Sequence, residues 1–192
     1  MWRTLTRGQL AVDIAVPTAL FLLLLIPYMG SGAILTLVLF GMAGALVFRR
    51  LSPGLSLALA WITAITQMAF GAPPTFANLA ILAVLYATAA YGPRVVLWLG
   101  FASIFVGSVT ITLYVTVFAG LRTGDWVGWE GELFSGFGAA SLVTSLVSFG
   151  LSWAIGLVVR TLSRARQSRA VAIAANQEVA AEQERTRIAR DM

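Results

Sequence analysis

The charged side chains of this 192-residue sequence are eight carboxylates and thirteen arginines. Neither cysteine, histidine nor lysine occurs anywhere in the chain. These absences exclude disulfides, Cys/His zinc sites, nucleophiles activated by histidine, and the lysines of P-loops and Schiff bases. We therefore predict that the chain holds no catalytic residue, no metal site and no cofactor-binding residue of its own.

One carboxylate, Asp13, lies inside a long apolar run, where a charge in lipid is costly enough to suggest a function. It lies about one helical turn from the start of that run, so interfacial placement or pairing with a nearby arginine is the alternative. The other candidate sensing residues lie together between two later apolar runs. They are Asp125, Trp126, Trp129, Glu130 and Glu132.

This acidic and aromatic group has two interpretations. It could meet a cation, a cationic peptide or lipid headgroups. Alternatively, the tryptophans belong to an interfacial aromatic belt and the acids are simply solvated. The sequence does not choose between them.

The composition indicates which elements must position these residues. Hydrophobic residues make up 59% of the chain and charged residues only 11%, whereas soluble domains have about 25% charged residues. Apolar runs of about 17–25 residues are long enough to cross a bilayer, and we predict six such helices. They extend from about Gln9 to Met29, Gly32 to Phe48, Pro53 to Phe70, Pro74 to Tyr91, Val95 to Ala119 and Phe134 to Val159.

The positions of the arginines test this count. With six spans, every arginine except Arg122 lies on one side, and the positive-inside rule then places both termini in the cytoplasm. The basic charge is thus mainly a signal of membrane topology. Because the aromatic residues lie in the spans rather than beside the arginines, we predict membrane lipid as a partner and no nucleic acid.

The sixth run carries small residues spaced three or four apart. Small side chains on one helical face let another helix approach closely, so this row predicts a packing seam, either within the chain or between two copies. Its members are Ser141, Ser145, Ser148, Ser152 and Gly156. In the other spans, Gln67 and Asn78 are the strongly polar side chains, and either could bond across helices.

A change in composition after Val159 divides the chain into a transmembrane domain, residues 1–159, and a cytoplasmic segment, residues 160–192. The second part lacks Gly, Pro and aromatic residues and is rich in Ala, Glu, Gln and Arg, which favour helix. We predict an all-α polytopic protein whose sixth span continues into a long cytoplasmic helix. Its apolar heptad positions are weak and change phase, which is typical of a coiled coil with a stutter.

The end of this helix reads Glu184-Arg185-Thr186-Arg187-Ile188-Ala189-Arg190-Asp191-Met192. It resembles the start of the dimerisation and phosphoacceptor helix of sensor histidine kinases of the DesK/NarL-partner type, whose motif reads approximately E-R-x-R-I-A-R-[DE]-[LM]-H-D. The match stops where that family places its phosphoacceptor histidine. The membrane half more loosely resembles actinobacterial-style sensor kinases in layout.

The resemblance implies that the chain is the membrane sensor region and signalling helix of such a kinase, ending just before the phosphoacceptor. It implies residues Arg187 to Asp191 as the lead-in to that site, with Ile188 in the dimer interface. For the intact kinase it implies a homodimer, ATP with Mg²⁺ as phosphodonor, and a response regulator as phosphoryl acceptor. The alternatives are a small polytopic transporter or channel subunit and a non-catalytic membrane scaffold.

The topology can be tested because the chain has no native cysteine. With a cysteine introduced at Val127, we expect a membrane-impermeant thiol reagent to label intact cells from outside, because six spans place this loop on the outer face. Labelling of Val127→Cys only after the cytoplasmic side is opened to the reagent would refute the topology.

Overall fold

A computed structural model describes residues 15, 18–19, 21–22, 32–123 and 136–191, and all regular structure in these residues is helical. Five helices are described in full: α1 (Ala33–Phe48), α2 (Pro53–Ala69), α3 (Ala80–Tyr91), α4 (Arg94–Thr123) and α5 (Gly136–Asp191), with a 3₁₀ turn, Phe76–Leu79, before α3. The chain divides into two compact units, Met1–Leu157 and Val158–Met192.

Proline and glycine set the boundaries of the helices. Pro53 opens the first turn of α2, where the missing N–H costs nothing. Gly32 precedes α1 with φ +99°, a conformation that favours glycine. Gly92 and Pro93 separate α3 from α4. These local preferences explain why the predicted second, third and fifth runs agree closely with α1, α2 and α4.

The predicted fourth span begins later than expected. Its helical residues start at Phe76 as a 3₁₀ turn, because Thr75 and Asn78 form a capping box after the Pro73-Pro74 pair. The α-helix proper begins only at Ala80.

Helices α4 and α5 are long and apolar enough to cross a membrane, whereas α1, α2 and the helical stretch Phe76–Tyr91 are apolar but shorter. Only 22% of the most apolar stretch of α4 and 6% of that of α5 is buried, so both apolar stretches are largely exposed. The shorter helices also expose large apolar side chains. Examples are Phe40, Ile62, Ile65, Phe76 and Leu79, each more than half exposed.

The buried core of the first unit lies between α1, α2 and α3. Val38, Leu39 and Met42 of α1 pack with Ala77 and Ala80. A second cluster joins Leu57 and Ala60 of α2 to Val84 and Leu85 of α3. The close packing of these side chains holds the short helices together through many small dispersion contacts.

Glycines allow the helices to approach closely. A Cβ atom at Gly41 of α1 would collide with Thr63 of α2, and one at Gly100 of α4 would collide with Thr88 of α3. At Gly156 of α5, it would overlap the carbonyl oxygen of Tyr86. The bundle therefore depends on the absence of a side chain at these three positions.

The predicted continuation of the last span is confirmed, because α5 runs without interruption from Gly136 to Asp191. No proline occurs after Pro93 to break it. The predicted first span and the loop with Asp125 and the two tryptophans lie mainly or wholly outside the described residues.

Two glycines on α5 provide a matched test of close packing. Replacing Gly156 with alanine should lower the free energy of unfolding by about 1–3 kcal/mol, because the backbone of α3 must move away. Replacing Gly150, whose Cβ would meet open space, should raise it by about 0.5–1 kcal/mol through helix propensity. Unfolding in lipid nanodiscs measures both, and equal effects of the two substitutions would contradict this packing.

Candidate functional site

Gln67 of α2 and Asn78 of the 3₁₀ turn form a polar cluster at the connection between these elements. Asn78 Nδ2 donates to Gln67 Oε1 at 2.8 Å, and Gln67 Nε2 donates to the Pro73 carbonyl at 2.6 Å. Asn78 Oδ1 also accepts from the backbone N–H of Thr75 at 2.8 Å. The prediction that Gln67 and Asn78 bond across elements is thus confirmed.

Tyr114 of α4 contacts the connection between α2 and the 3₁₀ turn. Its hydroxyl donates to the Ala72 carbonyl at 2.6 Å, and Ala72 N donates to the Gln67 carbonyl at 3.0 Å. Gly71, with φ +64°, makes the turn. The connection between α2 and the 3₁₀ turn is therefore hydrogen-bonded to both α2 and α4. Gln67 itself is buried, with 3% of its surface exposed.

Hydroxyl and indole groups also join the helices directly. Ser56 of α2 donates to the Ala45 carbonyl of α1 at 2.6 Å, and Ser152 of α5 donates to the Leu82 carbonyl of α3 at 2.6 Å. Trp61 of α2 donates from its indole N–H to Ser103 Oγ of α4 at 3.1 Å. Bonds of this kind average about 0.6 kcal/mol between helices in a membrane.

A cleft of about 570 Å³ lies among α2, the 3₁₀ turn, α3, α4 and α5, all within the first unit. We call it the interhelical cleft. Its described lining is mostly apolar and contains no charged side chain. The volume lies within the roughly 300–1,000 Å³ that is typical of small-molecule pockets.

One wall of the interhelical cleft is a row of hydroxyls on α5. Ser141, Thr144, Ser145 and Ser148 line it, at spacings that keep them on one helical face. Ser145 Oγ donates to the backbone carbonyls of Ser141 at 2.8 Å and Leu142 at 3.1 Å. Trp61 and Ser103 lie on other walls, and Asn78 contributes an amide.

The predicted packing seam therefore has two parts. Ser152 and Gly156 pack against α3 within the same chain, as the hydrogen bond to Leu82 and the close approach to Tyr86 require. Ser141, Ser145 and Ser148 line the interhelical cleft instead. Only the spacing of these small residues pointed to the cleft from the sequence, and the same spacing fits a packing seam equally well.

The remaining predicted site residues are described less fully or not at all. The candidate sensing residues Asp13, Asp125, Trp126, Trp129, Glu130 and Glu132 lie outside the described residues. The motif residues Glu184, Arg185, Arg187, Ile188, Ala189, Arg190 and Asp191 lie in the described helical backbone of α5, and their side-chain roles stay predictions. Among the described residues, no group of three acidic, histidine or cysteine side chains could hold a metal ion.

The described geometry defines a helical bundle with two helices long and apolar enough to cross a membrane and an uncharged cleft between its helices. A family model described as "Domain of unknown function (DUF7134)" matches residues 1–163, and the chain belongs to this family. No curated protein and no solved structure matches the chain. The Arg-rich motif near Met192 lies beyond the part matched by the family model.

Hydrogen bonding of the polar cluster can be measured by a double-mutant cycle. Gln67→Leu and Asn78→Leu should each lower the free energy of unfolding by about 1–3 kcal/mol, because the first leaves the half-buried Asn78 and the second the buried Gln67 without its amide partner. The double variant should lose less than the sum, with a coupling of at least about 0.5 kcal/mol. The control is Thr66→Ala, which removes an exposed hydroxyl bonded within α2. Additive losses would contradict a direct bond.

Proposed function

We propose that this chain is the membrane sensor region and signalling helix of a sensor histidine kinase, spanning a bacterial plasma membrane six times with both termini in the cytoplasm. The observation that carries the proposal is the single helix α5. It joins an apolar stretch long enough to cross a membrane to the motif residues Glu184 to Asp191, with no break in the described backbone. A direct helical connection is what a signal from the membrane would need to reach a phosphoacceptor.

Exposed apolar surface supports the membrane location. Large apolar side chains that are at least half exposed line α5, among them Val143, Val147, Leu151 and Ile155. Exposing such a surface to water is unfavourable in free energy, whereas exposing it to lipid is not. The arginines at the ends of the predicted spans supply the charge bias of a cytoplasmic face. The three shorter helices would cross as part of a packed bundle, with local thinning of the bilayer.

The exposed side chains of the second unit support the proposal of a homodimer. Every described side chain from Thr161 to Ala180 is exposed, including Leu162, Val171 and Val179. A helix with no packing partner is only marginally stable in water, so a second copy is the simplest source of contacts. Arg160, Arg164, Arg166 and Arg169 would lie beside the anionic headgroups, where each contributes about 1 kcal/mol.

In the intact kinase, ATP with Mg²⁺ would supply the phosphoryl group and a response regulator would accept it. No residue of this chain is assigned to either. Its own part would be mechanical: a stimulus stabilises one arrangement of α5 over another. The ratio of the two populations then changes tenfold for each difference of about 1.4 kcal/mol in binding free energy. The coding sequence after the Met192 codon tests the kinase assignment directly, since codons for His-Asp should follow. A different sequence there would reject the kinase.

The mechanical role predicts a dependence on helical phase. We consider a chimera in which residues 1–192 precede the phosphoacceptor and catalytic domains of a characterised kinase of the same type. Inserting one or two alanines after Ser168 rotates the helix by about 100° per residue and should change autophosphorylation at least fivefold. Inserting seven should restore the original level, because a heptad returns the same face to the partner.

The control for this experiment is the same insertion series in a chimera that begins at Arg160. Without the membrane bundle to hold the upstream face, the insertions should change autophosphorylation less than twofold. An equal response in both series would show that residues 1–159 transmit nothing, and a flat response in the longer chimera would contradict the proposed signalling helix.

A further inference from the structure

We propose that the interhelical cleft binds a neutral amphiphile, a molecule with an apolar chain and one uncharged hydrogen-bonding group such as a hydroxyl or an ester carbonyl. The proposal rests on the membrane location proposed above and not on the kinase, because a binding site of this kind does not require signalling. Three features of the cleft determine the chemistry of the occupant.

The first feature is the absence of charge. None of the described lining residues is ionisable at neutral pH, and the walls are mainly leucine, isoleucine, alanine and aromatic carbon. An ion moved into these surroundings would lose its hydration and gain no partner. Phospholipid headgroups and fatty-acid carboxylates are therefore poor occupants, whereas an uncharged molecule loses little on entry.

The second feature is the hydroxyl row. Ser145 is satisfied within α5 by the carbonyls of Ser141 and Leu142, so burying it costs little. Ser141, Thr144 and Ser148 make no side-chain hydrogen bond to another described residue. These three hydroxyls lie at successive turns of α5 along one wall. Each can donate a hydrogen bond to, or accept one from, the polar group of an occupant, at a different depth in the cleft.

The third feature is the way in which the cleft is kept open. Gly107 of α4 lines it, and an added Cβ there would stand 3.5 Å from the ring of Phe149 on α5. A larger side chain at this position would project into the space between α4 and α5. The bond from Trp61 to Ser103 holds α2 beside α4 at another wall. The cleft is therefore bordered by a glycine on α4 and by a hydrogen-bonded pair that fixes the spacing of α2 and α4.

These features also argue against an ordinary packing defect. A defect between helices would be filled by apolar side chains, because a void forfeits dispersion contacts on every wall. Here small and hydroxyl-bearing residues are concentrated around one volume of about 570 Å³. A mostly apolar lining with a few converging polar groups is the usual composition of a ligand pocket.

The test is photolabelling of the chain in lipid nanodiscs with hexadecanol that carries a diazirine on its chain. We expect adducts on Phe149 and Trp61 that excess unlabelled hexadecanol reduces at least fivefold. Hexadecyl sulfate, with the same chain and a permanent charge, should need at least a tenfold higher concentration. Adducts spread over outward residues such as Phe40 and Ile62, without competition, would mean general lipid exposure and overturn the proposal.

Two glycine variants form the matched pair. Gly107→Leu should reduce the competed labelling at least fivefold, because leucine fills the cleft. Gly44→Leu, at a helical glycine of α1 with open space around its Cβ and outside the cleft lining, should leave it within twofold of wild type. The unfolding temperature of each variant shows whether the bundle remains folded. Unchanged labelling in folded Gly107→Leu would overturn the site.

A third variant keeps the proposal testable should Gly107→Leu fail to fold. In Ser148→Ala, the advantage of hexadecanol over hexadecane as a competitor should fall at least threefold, and an unchanged advantage would reject the hydroxyl row. The source of the occupant is then distinguished with two neutral competitors. Competition by dioleoylglycerol assigns the site to a membrane lipid, competition by dodecanol alone assigns it to a smaller external compound, and competition by neither rejects it.

Discussion

The architecture of the first unit depends on how closely other helices approach α3. This helix has only twelve residues, yet Val84, Leu85 and Ala87 are almost completely buried. Gly100 and Gly156 bring α4 and α5 against it at distances that a single methyl group would prevent. In the proposed membrane location, helices gain little from the hydrophobic effect between themselves, so this close van der Waals contact would hold them together. The positions of the cleft walls follow from it.

Polar groups are placed where they strengthen these contacts without introducing charge. Ser56 and Ser152 each donate to a backbone carbonyl of a neighbouring helix, and Gln67 with Asn78 ties the connection after α2. A carbonyl that already accepts within its helix has a second lone pair for such a bond. The helices are thereby joined at defined depths, whereas the α5 hydroxyls of Ser141, Thr144 and Ser148 form no bond of this kind within the described part of the chain.

Helix boundaries could be predicted from sequence because prolines and glycines act locally. The run from Pro53 and the break at Gly92-Pro93 needed no tertiary information, and the continuity of α5 followed from its lack of proline. The cleft could not be predicted, because five elements must be placed before a volume exists between them. The row Ser141, Ser145 and Ser148 carried the only local indication, and small-residue spacing is the same for a packed interface and for a cavity wall.

The proposed site and the proposed signalling helix involve the same element. Residues Ser141 to Phe149 of α5 line the cleft, Ser152 and Gly156 fix the helix against α3, and the backbone continues hydrogen-bonded to Asp191. An occupant that fits one arrangement of the cleft wall better than another would favour the corresponding arrangement of α5. The shift would be limited to the difference between its two binding free energies, about 1.4 kcal/mol for each factor of ten in the population ratio. A neutral occupant that contacts both arrangements equally would bind without transmitting anything, so the hydroxyl row matters for signalling only if its contacts change as α5 moves.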